Sequence, residues 1–272
     1  MTVAAGFHSS HVREACLLHT KKHRAHTRCF LIEGPALVGA ALDAGLTPSA
    51  VFSVPGKQPL VDAAVARAGE AGAPVYAVDK RTLRSLAQTR EPQGVVAQVP
   101  FVERDLKALD GIVPASGPAG VLVLDDLDDP GNAGTLIRSA EAFGARAVCV
   151  GPSSVEPYND KLVRATMGAI FRVPLVRYRG WPELEAALQG LRLSLIAARA
   201  GAPDIRSIDL PGRCALILGN ERHGLTAVPA GSIGLTVGIP HAAAVESLNV
   251  AVAGSILLYE LSRCGLWLGT KQ

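Results

Sequence analysis

The chain has 272 residues, 49% of them hydrophobic and 19% charged, with a formal net charge of +3. This length and hydrophobic content suffice for one large globular domain or two ordinary ones, which excludes a disordered chain. No run of about 18 apolar residues lacks charge or proline and the first residues have no signal-peptide core, so we expect a cytoplasmic protein without membrane contact.

The first hundred residues alternate short apolar runs with helical patterns. Pro at the start and Gly after the end delimit the first predicted helix, because Pro suits the first helical turn and Gly the residue beyond the last. The predicted elements are strand 28–34, helix 35–45, strand 49–54, helix 60–71, strand 74–79, helix 80–88 and strand 94–100. They predict a compact α/β domain over residues 1–103.

The basic excess of the chain lies in this N-terminal part. Residues 19–28, HTKKHRAHTR, contain no acidic residue. Two explanations fit this stretch equally well: a solvated helix end, or a patch that contacts phosphates. The candidates for phosphate contact are Lys21, Lys22, Arg24 and Arg28. The histidines of the stretch have no neighbouring carboxylate or Cys-x-x-Cys pair, and none of the five cysteines forms such a pair, so we expect no metal site.

Residues 104–118 are predicted to be a linker, because prolines and glycines cluster toward their end. A second domain is expected over residues 119–272, where a β-branched and leucine-rich run is typical of a strand buried on both faces. The predicted elements are strand 121–124, helix 134–143, strand 146–151, helix 160–169, strand 173–178, helix 182–190, strands 193–199, 214–220 and 234–240, and helix 247–264. Alternating strands and helices predict a mostly parallel sheet covered on both faces.

Ligands of such sheets bind in loops beyond the carboxyl ends of the strands, so these loops hold the candidate site. In the first loop, Pro130 and Gly131 predict a tight turn around Asn132, and Arg138 lies one helical turn after Gly134. An Asx turn at Asn132 and a surface ion pair of Arg138 are the ordinary alternatives. The four aspartates at positions 125, 126, 128 and 129 are expected to be a solvated loop.

Two further loops follow apolar strands. The run GNERHG places Glu221 between glycines, where a solvated side chain is the ordinary alternative. The run after Ile239 places Ser247 and Asn249 where a small-residue helix begins, and Ser247 is expected to cap that helix. A Walker-type loop, a Gly-x-Gly-x-x-Gly run and a nucleophile elbow are all absent from the sequence, which argues against an NTPase, a dinucleotide oxidoreductase and a hydrolase.

Taken together, the three segments resemble the SpoU, or TrmH-type, branch of the SPOUT methyltransferases, which transfer a methyl group from S-adenosylmethionine to a ribose 2′-hydroxyl of RNA. The matching residues are Pro130, Asn132, Gly134, Arg138, Ala142, Phe143 and Gly144 in the first motif, Gly219, Glu221 and Gly224 in the second, and Ile239, Pro240, Ser247, Leu248 and Asn249 in the third. Residues 1–100 are similar, more loosely, to the L30e-like RNA-binding domain of the ribosomal-RNA members, through KKHR, CFLIEGPALV and EPQGVVAQV.

The resemblance implies a C-terminal trefoil knot and a homodimer in which the arginine of the neighbouring subunit completes the active site. It implies S-adenosylmethionine as the cofactor, held in a bent form by main-chain groups at Gly219, Ile239 and Leu248, with Leu218 and Pro240 beside them. The catalytic residues that it implies are Asn132, Arg138, Glu221, Ser247 and Asn249.

Arg138 is often taken as the general base in this family. A guanidinium is always protonated and has no acceptor, so we favour Arg138 as a clamp on the adjacent phosphate that stabilises the developing oxyanion. Arg164 is a second candidate RNA contact, with a plain helix-surface arginine as the alternative.

The expected function is 2′-O-ribose methylation of structured RNA, with 23S ribosomal RNA favoured by the N-terminal domain. The alternatives are a tRNA 2′-O-methyltransferase and a non-catalytic knotted RNA-binding or ribosome assembly protein. A protein that only binds RNA has no physical need for all five catalytic candidates, which argues against the last alternative.

Overall fold

A computed structural model describes residues 2–56, 58–225 and 228–263. The chain divides into two compact units, one formed by Met1–Phe101 with Tyr158–Phe171 and the other by Val102–Pro157 with Arg172–Gln272. The sequence pattern had not indicated that residues 158–171 belong with the first unit, and the boundaries at 103 and 119 remain predictions. Within the described ranges, no helix combines the length and the apolar content needed to cross a membrane.

The first unit contains a five-stranded mixed sheet with the strand order β1-β4-β3-β5-β2. Strand β5 runs antiparallel to β2 and β3, whereas β4 is parallel to β1 and β3. Its N-terminal elements are β1 (Thr2–Ala4), α1 (Ser10–Leu17), α2 (Lys21–Thr27), β2 (Cys29–Glu33), α3 (Pro35–Asp43), β3 (Ala50–Ser53), α4 (Pro59–Glu70), β4 (Val75–Ala77), α5 (Lys80–Leu86) and β5 (Val95–Pro100). The predicted elements are all present, and β1, α1 and α2 are additional.

The second unit contains a six-stranded sheet with the order β11-β9-β10-β6-β7-β8. All neighbouring strands in it are parallel, which confirms the predicted α/β class with a mostly parallel sheet. The remaining elements are α6 (Leu109–Ile112), β6 (Ala119–Leu124), α7 (Pro130–Ala142), β7 (Ala147–Val150), α8 (Asp160–Ala165), β8 (Leu175–Arg177), α9 (Trp181–Gly190), β9 (Ser194–Ala198), β10 (Arg213–Leu218), β11 (Leu235–Val237) and α10 (Val250–Arg263). Of these, α8 belongs to the first unit.

Helix α7 begins four residues before the predicted start. Asp129 caps it, since its carboxylate accepts a hydrogen bond from the N–H of Asn132 at 2.8 Å, and Pro130 occupies the first turn. The predicted tight turn at Pro130 and Gly131 is therefore wrong, because both residues are helical. Asn132 consequently lies in the first turn of a helix, in a position that is rigid.

Helix α10 begins at Val250, and the predicted start at Ser247 is wrong. Oδ1 of Asn249 accepts hydrogen bonds from the N–H groups of Ala251 at 2.9 Å and Val252 at 3.2 Å. Asn249 therefore caps the helix, and the predicted cap at Ser247 is wrong. The predicted end of this helix at residue 264 lies outside the described residues.

Helix α8 also ends earlier than predicted, at Ala165. Met167 and Gly168 have φ values of 50° and 88°, which lie in the left-handed region and interrupt the helix. The short 3-10 helix Ala169–Phe171 follows.

Helix α10 packs closely on α7 and β10 at Gly254. A Cβ atom there would lie 2.5 Å from Cδ1 of Leu218 and would also collide with Cδ2 of Leu136. Both leucines are buried, so they cannot move aside without repacking the core. The close approach of the two helices therefore depends on glycine.

We expect Gly254→Ala to lower the free energy of unfolding by about 1–3 kcal/mol, the usual cost of overpacking, despite the higher helix propensity of alanine. Urea denaturation measures this change. Gly190→Ala is the matched control, because Gly190 is the last residue of α9 and no atom lies within 4 Å of its Cβ position. Equal stability of the Gly254→Ala variant and the unmodified protein would contradict the tight packing.

Candidate functional site

Three loops meet at the carboxyl edge of the six-stranded sheet, because β6, β10 and β11 all run in the same direction. The loops after β10 and β11 line a cleft of about 730 Å³, a size typical of small-molecule sites. The lining includes Leu218, Gly219, Glu221, Ile239, Ser247, Leu248 and Asn249 among the predicted site residues. Asn132, Arg138 and Pro240 are predicted site residues that do not line it.

A chain of hydrogen bonds joins one side chain from each of the three motifs. Nδ2 of Asn249 donates to Oδ1 of Asn132 at 3.1 Å, and Nδ2 of Asn132 donates to Oε1 of Glu221 at 2.9 Å. Asn132 is 117 residues from Asn249 and 89 residues from Glu221 along the chain. The fold therefore brings the polar residues of all three motifs together beside the cleft.

The orientation of both amides follows from this chain. Oδ1 of Asn249 already accepts from the backbone of helix α10, so its Nδ2 must be the donor to Asn132. Asn132 then accepts with Oδ1 and presents its own Nδ2 to Glu221. Because the carboxylate of Glu221 accepts from this amide, Glu221 braces Asn132 and is not simply a solvated side chain.

The turn after β10 requires a glycine at position 219. A Cβ atom on Gly219 would lie 2.5 Å from the carbonyl oxygen of Gly224. The turn is closed by two backbone hydrogen bonds of 2.9 Å between Asn220 and Gly224. Gly219 thus allows the backbone to fold back on itself at the rim of the cleft.

Asn220 holds this turn together, although it is not among the predicted site residues. It is 6% exposed, and its Oδ1 accepts from the N–H groups of Arg222 and His223 at 2.9 and 3.1 Å. Its Nδ2 donates to the carbonyl oxygen of Asp126 at 2.9 Å and to Oδ2 of Asp128 at 3.1 Å. An asparagine two residues after the strand was the available signal, because asparagine side chains commonly bond the backbone two residues ahead.

Arg138 and Ser247 differ from the residues of the hydrogen-bonded chain. Both are exposed, and neither side chain makes a hydrogen bond or ion pair with another residue in the described part of the chain. Ser247 lines the cleft, whereas Arg138 lies on α7 outside the lining. The ordinary alternative, a surface ion pair of Arg138, is therefore not observed among the described residues.

Asp125 is buried beneath the first loop at 3% exposure, which contradicts its expected place in a solvated loop. Its Oδ1 accepts from the hydroxyl of Tyr178 at 2.8 Å, while Oδ2 has no partner among the described residues. Burial raises the pKa of Asp125, and the Tyr178 hydroxyl opposes that shift.

Burial also raises the pKa of the Cys149 thiol to about 12, so this cysteine cannot serve as a nucleophile.

The raised pKa of Asp125 predicts a pH-dependent effect of Tyr178→Phe. Because the folded-state pKa exceeds the unfolded value, the contribution of Asp125 to stability is fully present below about pH 4 and is lost as pH rises through the folded pKa. The Tyr178 hydroxyl reduces this loss by stabilising the carboxylate. We expect Tyr178→Phe to cost about 1–3 kcal/mol at neutral pH and less at acidic pH. Urea unfolding at both pH values tests this, and a cost independent of pH would contradict it.

The RNA-contact candidates of the first unit have different environments. Lys21 and Lys22 are exposed, and Arg28 is exposed with its guanidinium 4.7 Å from the centroid of the Phe101 ring. Arg24 is 7% exposed and donates from Nη1 to the carbonyl oxygens of Leu18 and His19 at 2.8 and 2.9 Å. The structure thus gives Arg24 a role in holding the turn before α2, and it lends no support to an RNA contact by this residue.

Arg164 pairs with Asp160 one turn earlier in α8, with Nη1 and Oδ2 2.8 Å apart. Its side chain remains 37% exposed, so the predicted RNA contact stays a prediction. Among the described residues, no group of three or more His, Cys, Asp or Glu side chains is placed to hold a metal ion.

The chain is similar to known proteins over most of its length. Residues 119–259 match the model described as the SpoU rRNA Methylase family, and residues 9–97 match the MRM3-like substrate binding domain. The 23S rRNA (guanosine(2553)-2'-O)-methyltransferase RlmP of Bacillus subtilis is 34% identical over 246 residues, which cover 90% of this chain and 92% of RlmP.

Two solved structures are also similar. An AdoMet-bound rRNA methyltransferase from Sinorhizobium meliloti is 30% identical with a TM-score of 0.85, over 97% of this chain and 98% of that one. The SpoU methyltransferase AviRb from Streptomyces viridochromogenes, in complex with AdoMet, is 25% identical with a TM-score of 0.82, over 95% and 98% of the two chains.

Proposed function

The chain belongs to the SpoU rRNA methylase family, and we propose that it transfers a methyl group from S-adenosylmethionine to a ribose 2′-hydroxyl of 23S ribosomal RNA. The observation that carries this proposal is the hydrogen-bonded chain of Asn249, Asn132 and Glu221, which unites the three motif loops beside one cleft. The 23S rRNA 2'-O-methyltransferase activity of the Bacillus subtilis relative supports 23S RNA as the substrate.

The cleft fits the proposed cofactor in size and composition. Its volume of about 730 Å³ suits a nucleoside with an amino-acid tail, and Leu218, Ile239 and Leu248 offer apolar surface for an adenine ring. The close backbone approach at Gly219 leaves main-chain groups available at the rim. When bound, S-adenosylmethionine supplies an electrophilic methyl group on a sulfonium centre.

The protein then has to orient the ribose and stabilise its oxygen as the proton leaves. Asn132 is held by partners on both sides, so we assign it the positioning of the ribose or of Arg138. Glu221 anchors Asn132, and Asn249 both caps α10 and fixes the Asn132 amide. Ser247 faces the cleft without a partner in the described part of the chain and is free to contact the substrate.

Arg138 would act as a guanidinium clamp on the RNA phosphate next to the target ribose. Its positive charge would stabilise the developing oxyanion, and a phosphate oxygen or water would take the proton. Because Arg138 is exposed and does not line the cleft of its own subunit, we propose that it serves the cleft of a second copy in a homodimer.

An apolar stripe on α10 supports this homodimer. Val252, Ile256 and Tyr259 lie at the spacing of one helical face and are 50%, 37% and 49% exposed. The Tyr259 ring meets the ring of Phe143, which follows α7, with the two ring centroids 5.7 Å apart. The trefoil knot and the cytoplasmic location are further parts of the proposal, and they rest on the family resemblance and the sequence.

The function is tested by incubating unmodified 23S ribosomal RNA and bulk tRNA with the protein and a methyl-labelled cofactor, then mapping the labelled ribose. We expect label on the 2′-oxygen of one 23S nucleotide. Label on tRNA alone would favour the tRNA alternative. If calorimetry showed no cofactor binding and neither RNA were labelled, the protein would be a non-catalytic RNA-binding protein.

A further inference from the structure

The cleft that fits the cofactor has a basic lining. Arg199, Arg222, His223 and His241 all line it, and Glu221 is the one acidic side chain among the described lining residues. Glu221 already accepts a hydrogen bond from Asn132. The accessible charge at this cleft is therefore positive.

The proposed cofactor does not account for that charge. S-adenosylmethionine carries a sulfonium and an ammonium group against a single carboxylate, so its own net charge is positive. Two guanidinium groups at the cleft repel such a ligand overall unless they face an anion. The remaining anion of the proposed reaction is the RNA backbone, which carries one negative charge per nucleotide.

The turn after β10 presents Arg222 in a defined position. The two backbone hydrogen bonds between Asn220 and Gly224 close the turn, and Oδ1 of Asn220 holds the N–H of Arg222 at 2.9 Å. The side chain of Arg222 is exposed and has no hydrogen bond or ion pair with another described residue. Because the backbone of the turn is already fixed, binding a phosphate has to order only the side chain of Arg222.

Arg199 reaches the same cleft from a different strand. It directly follows β9, and its N–H donates to the carbonyl oxygen of Val237 in β11 at 3.0 Å. Its own carbonyl accepts from the N–H of Ala202 at 3.3 Å, so the backbone is fixed on both sides. Its side chain is exposed and likewise has no partner within the described ranges.

We propose that Arg199 and Arg222 bind phosphates of the substrate RNA at the mouth of the cofactor cleft. This inference rests on the proposed function and adds to it a phosphate contact supplied by the subunit that holds the cofactor, whereas Arg138 acts from the other subunit. Phosphates near the target nucleotide are then bound by arginines of both subunits, which fixes the direction of its 2′-hydroxyl.

The test is the double variant Arg199→Gln/Arg222→Gln, which removes both charges and keeps long polar side chains. We expect its affinity for a 23S ribosomal RNA transcript to fall by about ten- to a hundredfold, and its plot of log Kd against log salt to become shallower by about 1 to 2. KM for RNA should rise while kcat stays near that of the unmodified protein. Affinity for S-adenosylmethionine, measured by calorimetry, should change less than about twofold.

Arg192→Gln is the matched control, because Arg192 is exposed and precedes β9, at the opposite edge of the sheet from the cleft. Unchanged RNA affinity in the double variant would overturn the inference. A parallel loss of S-adenosylmethionine affinity would also overturn it, since the two arginines would then hold the cofactor carboxylate. RNA affinity is measured independently of methyl transfer. If the protein bound RNA through these two arginines but methylated no RNA, only the proposed function would be refuted.

Discussion

Replacing Arg138 with alanine should lower the rate of methyl transfer by about three powers of ten while leaving affinity for S-adenosylmethionine unchanged. Removing one donor that stabilises a developing oxyanion costs about 10²–10³ in rate, and the loss of phosphate positioning adds to this. Cofactor binding should persist because Arg138 does not line the cleft of its own subunit and because its proposed contact in the other subunit is an RNA phosphate. Single-turnover methylation and calorimetry measure the two quantities separately.

The conservative variant Arg138→Lys tests whether Arg138 binds the phosphate through two parallel hydrogen bonds or only through its charge. Lysine keeps the charge but cannot bind a phosphate through two parallel hydrogen bonds, so we expect most of the activity to be lost. Near-full activity in this variant would contradict the bidentate clamp. Arg192→Ala, far from the cleft edge, should retain full activity and serves as the control.

Gly219→Ala should weaken cofactor binding by about ten- to a hundredfold and reduce methyl transfer with it. The added Cβ would lie 2.5 Å from the carbonyl oxygen of Gly224, and a backbone atom cannot move aside as a side-chain end can. The turn must therefore open, at a cost of about 1–3 kcal/mol if binding requires it closed. Calorimetric titration with S-adenosylmethionine measures the loss.

Gly231→Ala provides the matched control, because Gly231 lies in the same part of the chain and no described atom beyond its chain neighbours lies within 4 Å of its Cβ position. That variant should bind the cofactor normally. Cofactor affinity within twofold of the unmodified protein in Gly219→Ala would show that the closed turn is not needed for binding.

The two variants together test the proposed homodimer. In mixed dimers of Arg138→Ala and Gly219→Ala, one site combines an intact cleft with an intact Arg138. If subunits assort at random and the cofactor is too dilute to saturate the Gly219→Ala cleft, about a quarter of the unmodified activity should return, although each variant alone has far less. No recovery would mean that Arg138 acts within its own subunit.

The sequence by itself determined the α/β class, the parallel sheet and the three loops that hold the candidate site. Apolar runs such as Ala119–Leu124 carry this information locally, because a strand buried on both faces needs apolar side chains throughout. Since parallel strands all end at one edge, the order of strands and motifs along the chain was enough to place the polar loops there.

Only the tertiary structure decided which polar residues meet and which are buried. Asn132 joins Asn249 and Glu221 across 117 and 89 residues, and such pairings leave no periodic trace in the sequence. Local rules also could not choose between Ser247 and Asn249 as the cap of α10, because either side chain can accept from backbone N–H groups. In the sequence, Asp125 cannot be distinguished from the aspartates that follow it, since its burial depends on the distant Tyr178, which follows β8 and packs beside it.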